Sequence, residues 1–398
     1  MFARLLQRWE VSTSSGSHFH VLDGLRGVAI LLVVAFHTLY TNPAHGVLAR
    51  VAGYIIAAGW MGVPIFFVLS GFLISYPFFL KRATDPQFWY QRGYARRRLG
   101  KIIPPFYLSL VLFLGFYWWQ FRDPGYVHSA WMWALGLGNF MSISPNLNGV
   151  YWSLVVESHF YILLPLLFWL TRGRTVKTTA GFIFVLLFAI PLLVRHFTWP
   201  ADMTVLPDYH TELFTQVWLK LRRFPCELDY FGYGVAFAGI YVGLTKGEEK
   251  NRLEVLGLLG YVGVLLMAVT LLDQGLWVKY FDLRAYPTRW SIEFAHLMPA
   301  VSAMLMLFFV FDTRSVGARI LSSGPLRFIG VISFEWFLFH GPIVGWFHEH
   351  TGPSHGSLLA YAWRTVVPLT LTLVFSALVY RYFSLPILKR VRNSLQQS

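Results

Sequence analysis

The chain has 398 residues, of which 56% are hydrophobic, 18% aromatic and only 13% charged. Soluble domains carry about 25% charge, and no single core of this size hides so much apolar surface. A soluble enzyme, a disordered chain and a small secreted scaffold are therefore excluded, and a polytopic membrane protein is indicated.

The formal net charge is +14. In a soluble protein it would point to a polyanion, but no basic soluble module accompanies it, so nucleic acid is not an expected partner. The single cysteine, Cys226, permits neither an intrachain disulfide nor a cysteine metal cluster.

A membrane-spanning helix needs roughly 20 apolar residues. Runs that approach or exceed this occur at 21–40, 57–80, 101–120, 151–170, 178–196, 228–244, 254–272, 291–312, 328–347 and 362–385. The expected fold is an all-α transmembrane helical bundle of about ten spans. The stretch 131–140, "WMWALGLGNF", would make eleven, but it is too short to cross unaided and reads as an interfacial or re-entrant piece. Residues 1–20 form a cytoplasmic N-terminal segment, 21–385 the transmembrane domain and 386–398 a cytoplasmic tail. With the N-terminus inside, 21 of the 33 Lys and Arg residues fall on the cytoplasmic side, eight outside, and four in or at the ends of spans. This positive-inside pattern places both termini in the cytoplasm and the protein in a plasma (inner) membrane. Residues 1–20 lack an apolar signal core, so 21–40 reads as a retained helix. The longest connection, 197–227, carries Asp202, Asp208, His210, Glu212, Lys220, Arg222 and Arg223. It is long enough to cover a site at the outer face.

Ionisable groups inside a membrane usually face a bundle interior or an aqueous cavity. In "HVLDGLRGVAILLVVAFHTLY", Arg26 and His37 are eleven positions apart, within about 20° of one helical face and about 16 Å along the axis. Asp23 lies near that face. Two readings stand for this helix. Arg26 snorkels and His37 hydrogen-bonds another helix, or Arg26 contacts an anion at the cytoplasmic mouth while His37 acts as a general base deeper in the cavity. The next span, "GWMGVPIFFVLSGFLISYPFF", offers small residues for close packing and Pro64 to bend it.

Arg96, Arg97, Arg98 and Lys101 precede Pro104 and Pro105 in the third span. They read either as positive-inside anchors or as a grip on phosphate oxygens. In "NGVYWSLVVESHFYILLPLLFWL", Glu157 and His159 point in roughly opposite directions, and Glu157 is the costlier residue to bury. In "VISFEWFLFHGPIVGWF", Glu335 and His340 lie among aromatics, and Gly341 and Pro342 suggest a local distortion beside His340. No His-x-x-x-His or HExxH metal pattern occurs, and the His348, His350 and His355 group reads as adventitious. No metal site is expected. P-loop and GxSxG motifs are absent, removing the usual support for ATP-driven transport and serine hydrolysis.

Five pieces in order, "LDGLRGVAILLVVAFH", "GVPIFFVLSGFLI", "RRLGKIIPPF", "YWSLVVESHFYILLPL" and "FLFHGP", resemble the membrane acyltransferase-3 family, whose members acylate hydroxyls of carbohydrates and some macrolides. The resemblance implies a ten-helix domain that takes an acyl group, commonly acetyl, from cytoplasmic acyl-CoA. It implies that His37 is catalytic and that Arg26 is essential near the donor. The family's RRxxR motif falls on Arg97, Arg98 and Lys101, where lysine keeps the charge but loses the bidentate fork. The periplasmic SGNH-type domain of some relatives is expected to be absent.

The expected function is therefore O-acyl transfer from acyl-CoA to a hydroxyl of a glycan, glycolipid or macrolide. His37 serves as base, Glu157 and His340 orient groups or complete a proton path, and Arg26, Arg97, Arg98 and Lys101 hold the donor. A secondary transporter of a sugar-type or lipid-linked substrate is the alternative, although the paired broken helices of such proteins are not visible. A non-enzymatic scaffold would leave the buried ionisable residues without a purpose.

Overall fold

The computed structural model describes residues 19–38, 56, 58–116, 124–138, 147–198, 224–245, 254–280, 289–351 and 358–397. The first 18 residues, most of the 197–227 connection with Lys220, Arg222 and Arg223, and His355 lie outside the described residues.

The described elements are helical. They are α1 (His20–Thr38), α2 (Gly62–Arg82, entered through a 3-10 turn at Gly59–Met61), α3 (Tyr94–Phe116), α4 (Pro124–Ala134), α5 (Tyr151–Leu170), α6 (Val176–Thr198) and α7 (Leu228–Thr245). The second half contains α8 (Leu258–Tyr280), α9 (Arg289–Met306), α10 (Val316–Leu321), α11 (Gly324–Val331), α12 (Ser333–Thr351), α13 (Leu358–Val379) and α14 (Leu385–Gln396), the last two joined by a π-helical turn at Tyr380–Ser384.

The architecture is an all-α polytopic membrane bundle. Among the described residues, seven helices are long and apolar enough to cross a membrane, or eight if the bent pair α11–α12 counts as one span. This is fewer than the ten read from the sequence. The difference lies at 228–244 and 291–312, which form α7 and α9 without reaching that standard. α7 carries Asp229, Tyr230, Tyr233 and Tyr241, yet most of it is buried, packed between α2 and α6. A helix surrounded by protein needs no continuous lipid-facing apolar surface, so hydropathy understates it. The apolar stretch at 291–312, among the described residues, is the shorter His296–Val310, the later part of α9 and the 3-10 turn that follows it, and the sequence of the first turns of α9 includes Arg289 and Glu293. α4 has 11 residues, about 16 Å of helix, and is too short to cross the hydrocarbon core.

Pro64 falls in the first turn of α2, where its missing N–H costs nothing and no bend is required. Nor does Gly341–Pro342 break its helix: α12 runs through both. The break lies earlier, with a 70° bend between α11 and α12. Most of the 386–398 segment is helical, within α14 (Leu385–Gln396), which packs on α3.

Backbone contact sets the helix spacing. A methyl group added to Gly27 would enter the Leu326 carbonyl of α11, and one added to Gly234 of α7 would enter the Val68 carbonyl of α2. Aromatic rings fill the adjoining core: Phe231 stacks on Phe67 at 4.6 Å and on Phe160 at 4.3 Å between centroids.

Two buried arginines are held entirely by protein groups. Arg82, at the end of α2, donates to the carbonyls of Phe88 (2.9 Å), Phe168 (2.7 Å) and Thr171 (2.5 Å). It thereby closes the C-terminal end of α5, where helix carbonyls carry partial negative charge. Arg195 of α6 meets Asp229 of α7 at 3.0 Å and Glu293 of α9 at 3.1 Å. His296 joins them, 2.9 Å from Asp229, with its other ring nitrogen 2.9 Å from the Tyr230 hydroxyl.

Two alanine substitutions on α7 separate backbone contact from helix propensity. Gly234→Ala meets the α2 backbone, whereas Gly243 has open space around it. Gly234→Ala is expected to cost about 1–3 kcal/mol through overpacking, lowering the unfolding midpoint of the purified protein. Gly243→Ala should leave the midpoint unchanged or raise it, because alanine is the better helix former by about 1 kcal/mol.

Candidate active site

α1 carries Arg26 near its start and His37 in its last turn. The glycine-lined approach of α1 to α11, and its contact with α12, place His37 opposite His340. Their rings lie 4.8 Å apart at 63°, with His340 Nε2 3.2 Å from His37 Nδ1. His340 is buried and His37 half-buried.

Neighbouring carbonyls assign the tautomers. His340 Nδ1 lies 3.0 Å from the Trp336 oxygen and 2.9 Å from the Phe337 oxygen, so Nδ1 carries the hydrogen and Nε2 accepts. His37 Nδ1 lies 2.8 Å from the Val33 oxygen and faces that accepting Nε2. It is therefore also an N–H donor, and Nε2 becomes the basic nitrogen of His37. The spacing on α1 placed His37 within the membrane, but nothing in the sequence paired it with His340, 303 positions away.

Support for α12 comes from two sides. Asn148, just ahead of α5, donates from Nδ2 to the Leu338 carbonyl at 2.8 Å. Trp336 Nε1 donates to the Thr372 hydroxyl of α13 at 2.9 Å.

Glu157 forms a second polar group. Its Oε1 accepts from Ser70 of α2 at 2.5 Å and from Tyr161, one turn along α5, at 2.6 Å. Tyr94 of α3 donates in turn to the Tyr161 carbonyl at 3.0 Å. His159 points elsewhere and stacks on Phe224, 4.9 Å between centroids, so Glu157 and His159 diverge as their spacing requires. Ser70 read as a packing residue in the sequence, and Tyr161 drew no attention there. The recoverable signal was the i,i+4 relation of Tyr161 to Glu157.

The basic residues fan out rather than forming one prong. Arg26 pairs loosely with Asp23 at 3.8 Å. Lys101 lies within electrostatic reach of Arg26, Arg98, Glu157 and Glu335, so α1, α3, α5 and α12 all contribute charge around it. Arg97 reaches back beside Gly93, against Leu395 of α14. Arg98 lies over the Tyr161 ring at 5.6 Å. Arg96 is exposed.

Cys226 is buried in the turn before α7. Burial, reinforced by Glu227, pushes its thiol up to about 12, so it stays protonated near neutral pH and is a poor nucleophile. His348 Nε2 lies 3.3 Å from the Arg364 carbonyl. Among the described residues no group of three or more His, Cys, Asp or Glu side chains is arranged to hold a metal ion.

A family model described as an acyltransferase domain matches residues 19–381. Among curated proteins, the chain is similar to O-acetyltransferase OatA of Staphylococcus aureus strains NCTC 8325 / PS 47, COL and MRSA252. Each is 24% identical over 392 residues, covering 93% of this chain and 57% of the relative. The chain thus spans little more than half the length of these relatives. No solved structure matches it. The match encompasses α1 with Arg26 and His37, the basic helix α3, Glu157 of α5 and His340 of α12, and the chain belongs to the membrane acyltransferase-3 family.

Proposed function

We propose that this protein is an O-acyltransferase moving an acyl group, most simply acetyl, from acyl-CoA to a hydroxyl of a carbohydrate-containing acceptor. The observation that carries the reading is the His37–His340 contact, which leaves His37 Nε2 as a base inside the bundle. Family membership and the O-acetyltransferase relatives support the reaction class.

Donor phosphates rest against Arg26, Arg97, Arg98 and Lys101 near the cytoplasmic ends of α1 and α3. His37 lies about 16 Å farther along α1, a distance that an extended pantetheine arm bridges, which brings the thioester to the imidazole. His37 Nε2 removes the acceptor's hydroxyl proton as the oxygen attacks the thioester carbonyl. The tetrahedral intermediate collapses, the carbon–sulfur bond breaks, and the imidazolium returns its proton to the departing sulfur. The products are the acyl ester and free CoA. His340 is a positioning residue: its Nε2 accepts from His37 Nδ1 and stabilises the imidazolium formed in the transition state. Glu157, held by Ser70 and Tyr161, orients polar groups on the α2–α5 side. The acceptor is a glycan, glycolipid or macrolide.

The same reading places the chain in a plasma (inner) membrane with ten crossings, α7 and α9 among them. Residues 21–385 form the catalytic domain, and residues 1–20 and 386–398 lie on the cytoplasmic side. The 21 Lys and Arg residues on that side support the orientation.

Acyl transfer from radiolabelled acetyl-CoA by the purified protein tests the chemistry. His37→Ala is expected to lower kcat by about 10²–10⁴, the usual contribution of a general base, and turnover at the wild-type rate would overturn the assignment. His340→Gln should retain the donor KM while lowering kcat and shifting its pH profile, because the change falls on the base and not on the donor grip. Arg97→Ala with Lys101→Ala should do the opposite, raising the donor KM about tenfold or more through lost charge-assisted contacts.

A further inference from the structure

The connection between α2 and α3 carries two aromatic rings that the acyl-transfer steps leave unused. Trp89 and Tyr90 are each 40% exposed, with ring centroids 5.6 Å apart and planes at 44°. The backbone just ahead of them is held on several sides. The Phe88 carbonyl accepts from Arg82 Nε at 2.9 Å, and the Phe88 N–H donates to the Asp85 carbonyl at 3.0 Å. The Pro86 carbonyl accepts from the Gly173 N–H at 2.9 Å, which ties the connection to the turn after α5. Half-open rings on a held backbone are pre-organised to receive a flat ligand.

Both rings line a groove of about 590 Å³ between α3 and α5, a volume ordinary for a small-molecule site. α3 lines it from Ala95 to Ile103, about 12 Å of helix, so Trp89 and Tyr90 lie at the end where α3 begins. Arg98, one of the basic residues assigned to the donor phosphates, belongs to the same wall, over the Tyr161 ring at 5.6 Å. It stands one helical turn, about 6 Å, beyond Tyr94, whose ring meets that of Tyr90 at 6.2 Å between centroids.

A ligand with phosphates at Arg98 and a flat ring one ribose away matches this arrangement. The donor of the proposed reaction carries such a ring at the end opposite its thioester. We propose that Trp89 and Tyr90 form the platform on which the adenine base of acyl-CoA stacks. The inference rests on the acyl-CoA reading and adds to it a site for the base, which charge alone does not recognise. Nucleobases stack on aromatic faces, and loss of such a partner costs about tenfold or more in affinity. Binding at this remote end helps to hold the thioester at His37. Trp169 supplies the contrast. It is 42% exposed at the end of α5, with Arg172 over its ring at 5.1 Å, but it does not line the groove and acts as an ordinary interfacial anchor.

Etheno-CoA, an analogue whose fluorescent base is quenched on stacking, tests the platform with the purified full chain. The wild type should bind it with quenching, and acetyl-CoA should displace it. Trp89→Leu with Tyr90→Leu should weaken binding about tenfold or more and remove the quenching, whereas Trp89→Phe with Tyr90→Phe should keep both. Trp169→Leu should change neither. In acyl transfer, the leucine pair should raise the KM for acetyl-CoA and leave that for acetyl-phosphopantetheine, which lacks the base, unchanged. Wild-type binding by the leucine pair would overturn the platform, as would equal weakening by Trp169→Leu. Equal kcat/KM of the wild type for acetyl-CoA and acetyl-phosphopantetheine would overturn it and leave the acyl-transfer reading standing. Quenched binding that depends on Trp89 and Tyr90, without any acyl transfer, would uphold the platform and overturn that reading instead.

Discussion

The backbone-to-backbone approach of α1 to its neighbours is the constraint on which the rest of the site depends. Where Gly27 meets the Leu326 carbonyl of α11, no side chain separates the two helices, so the distance is set by van der Waals contact of main-chain atoms. α12 follows α11 after one bend, and its position is inherited from that contact. Two imidazoles that would otherwise be solvated separately are thereby brought to hydrogen-bond distance. In lipid, where association gains little from burying further apolar surface, small residues at such contacts carry the packing.

The second organising rule is that charge within the membrane must be answered by protein. The described residues answer it in two ways. Arg82 and Arg195 are surrounded by carbonyls and carboxylates that accept from each of their guanidinium nitrogens, and such groups tie helices together. Around Lys101 and Arg98 the balance differs. Several helices bring charge of both signs to Lys101, and the buried Nε of Arg98 has no hydrogen-bond partner among the described residues.

Much of the architecture was legible in the sequence because hydropathy records contact with lipid. α1, α2, α3, α5, α6 and α8 announce themselves in this way. α7 is less visible because protein surrounds it, which allows Asp229 and its tyrosines. The periodicity of α1 placed Arg26 and His37 on one face, and the two-residue spacing of Glu157 and His159 separated them correctly. Pairings across helices were not legible. His37 with His340, Glu157 with Ser70, and Arg195 with Asp229 and Glu293 depend on tertiary packing, which a local pattern does not encode. The three basic residues of α3 are adjacent in sequence and diverge in space, because successive positions on a helix turn by about 100°.

The contact between α3 and α14 bears on the order in which the protein can be completed. Gly93 of the connection leading into α3 adopts a positive φ of 73° and lies against Leu395, while Gly100 lies against Val391. The ribosome makes the basic helix well before its packing partner, which lies far along the chain. Until α14 is synthesised, the α3 surface around Gly93 and Gly100 has no native cover, and the arginines beside it are open to whatever anionic surface is at hand. This corner therefore closes only once α14 has been made, and closing it joins distant parts of the chain.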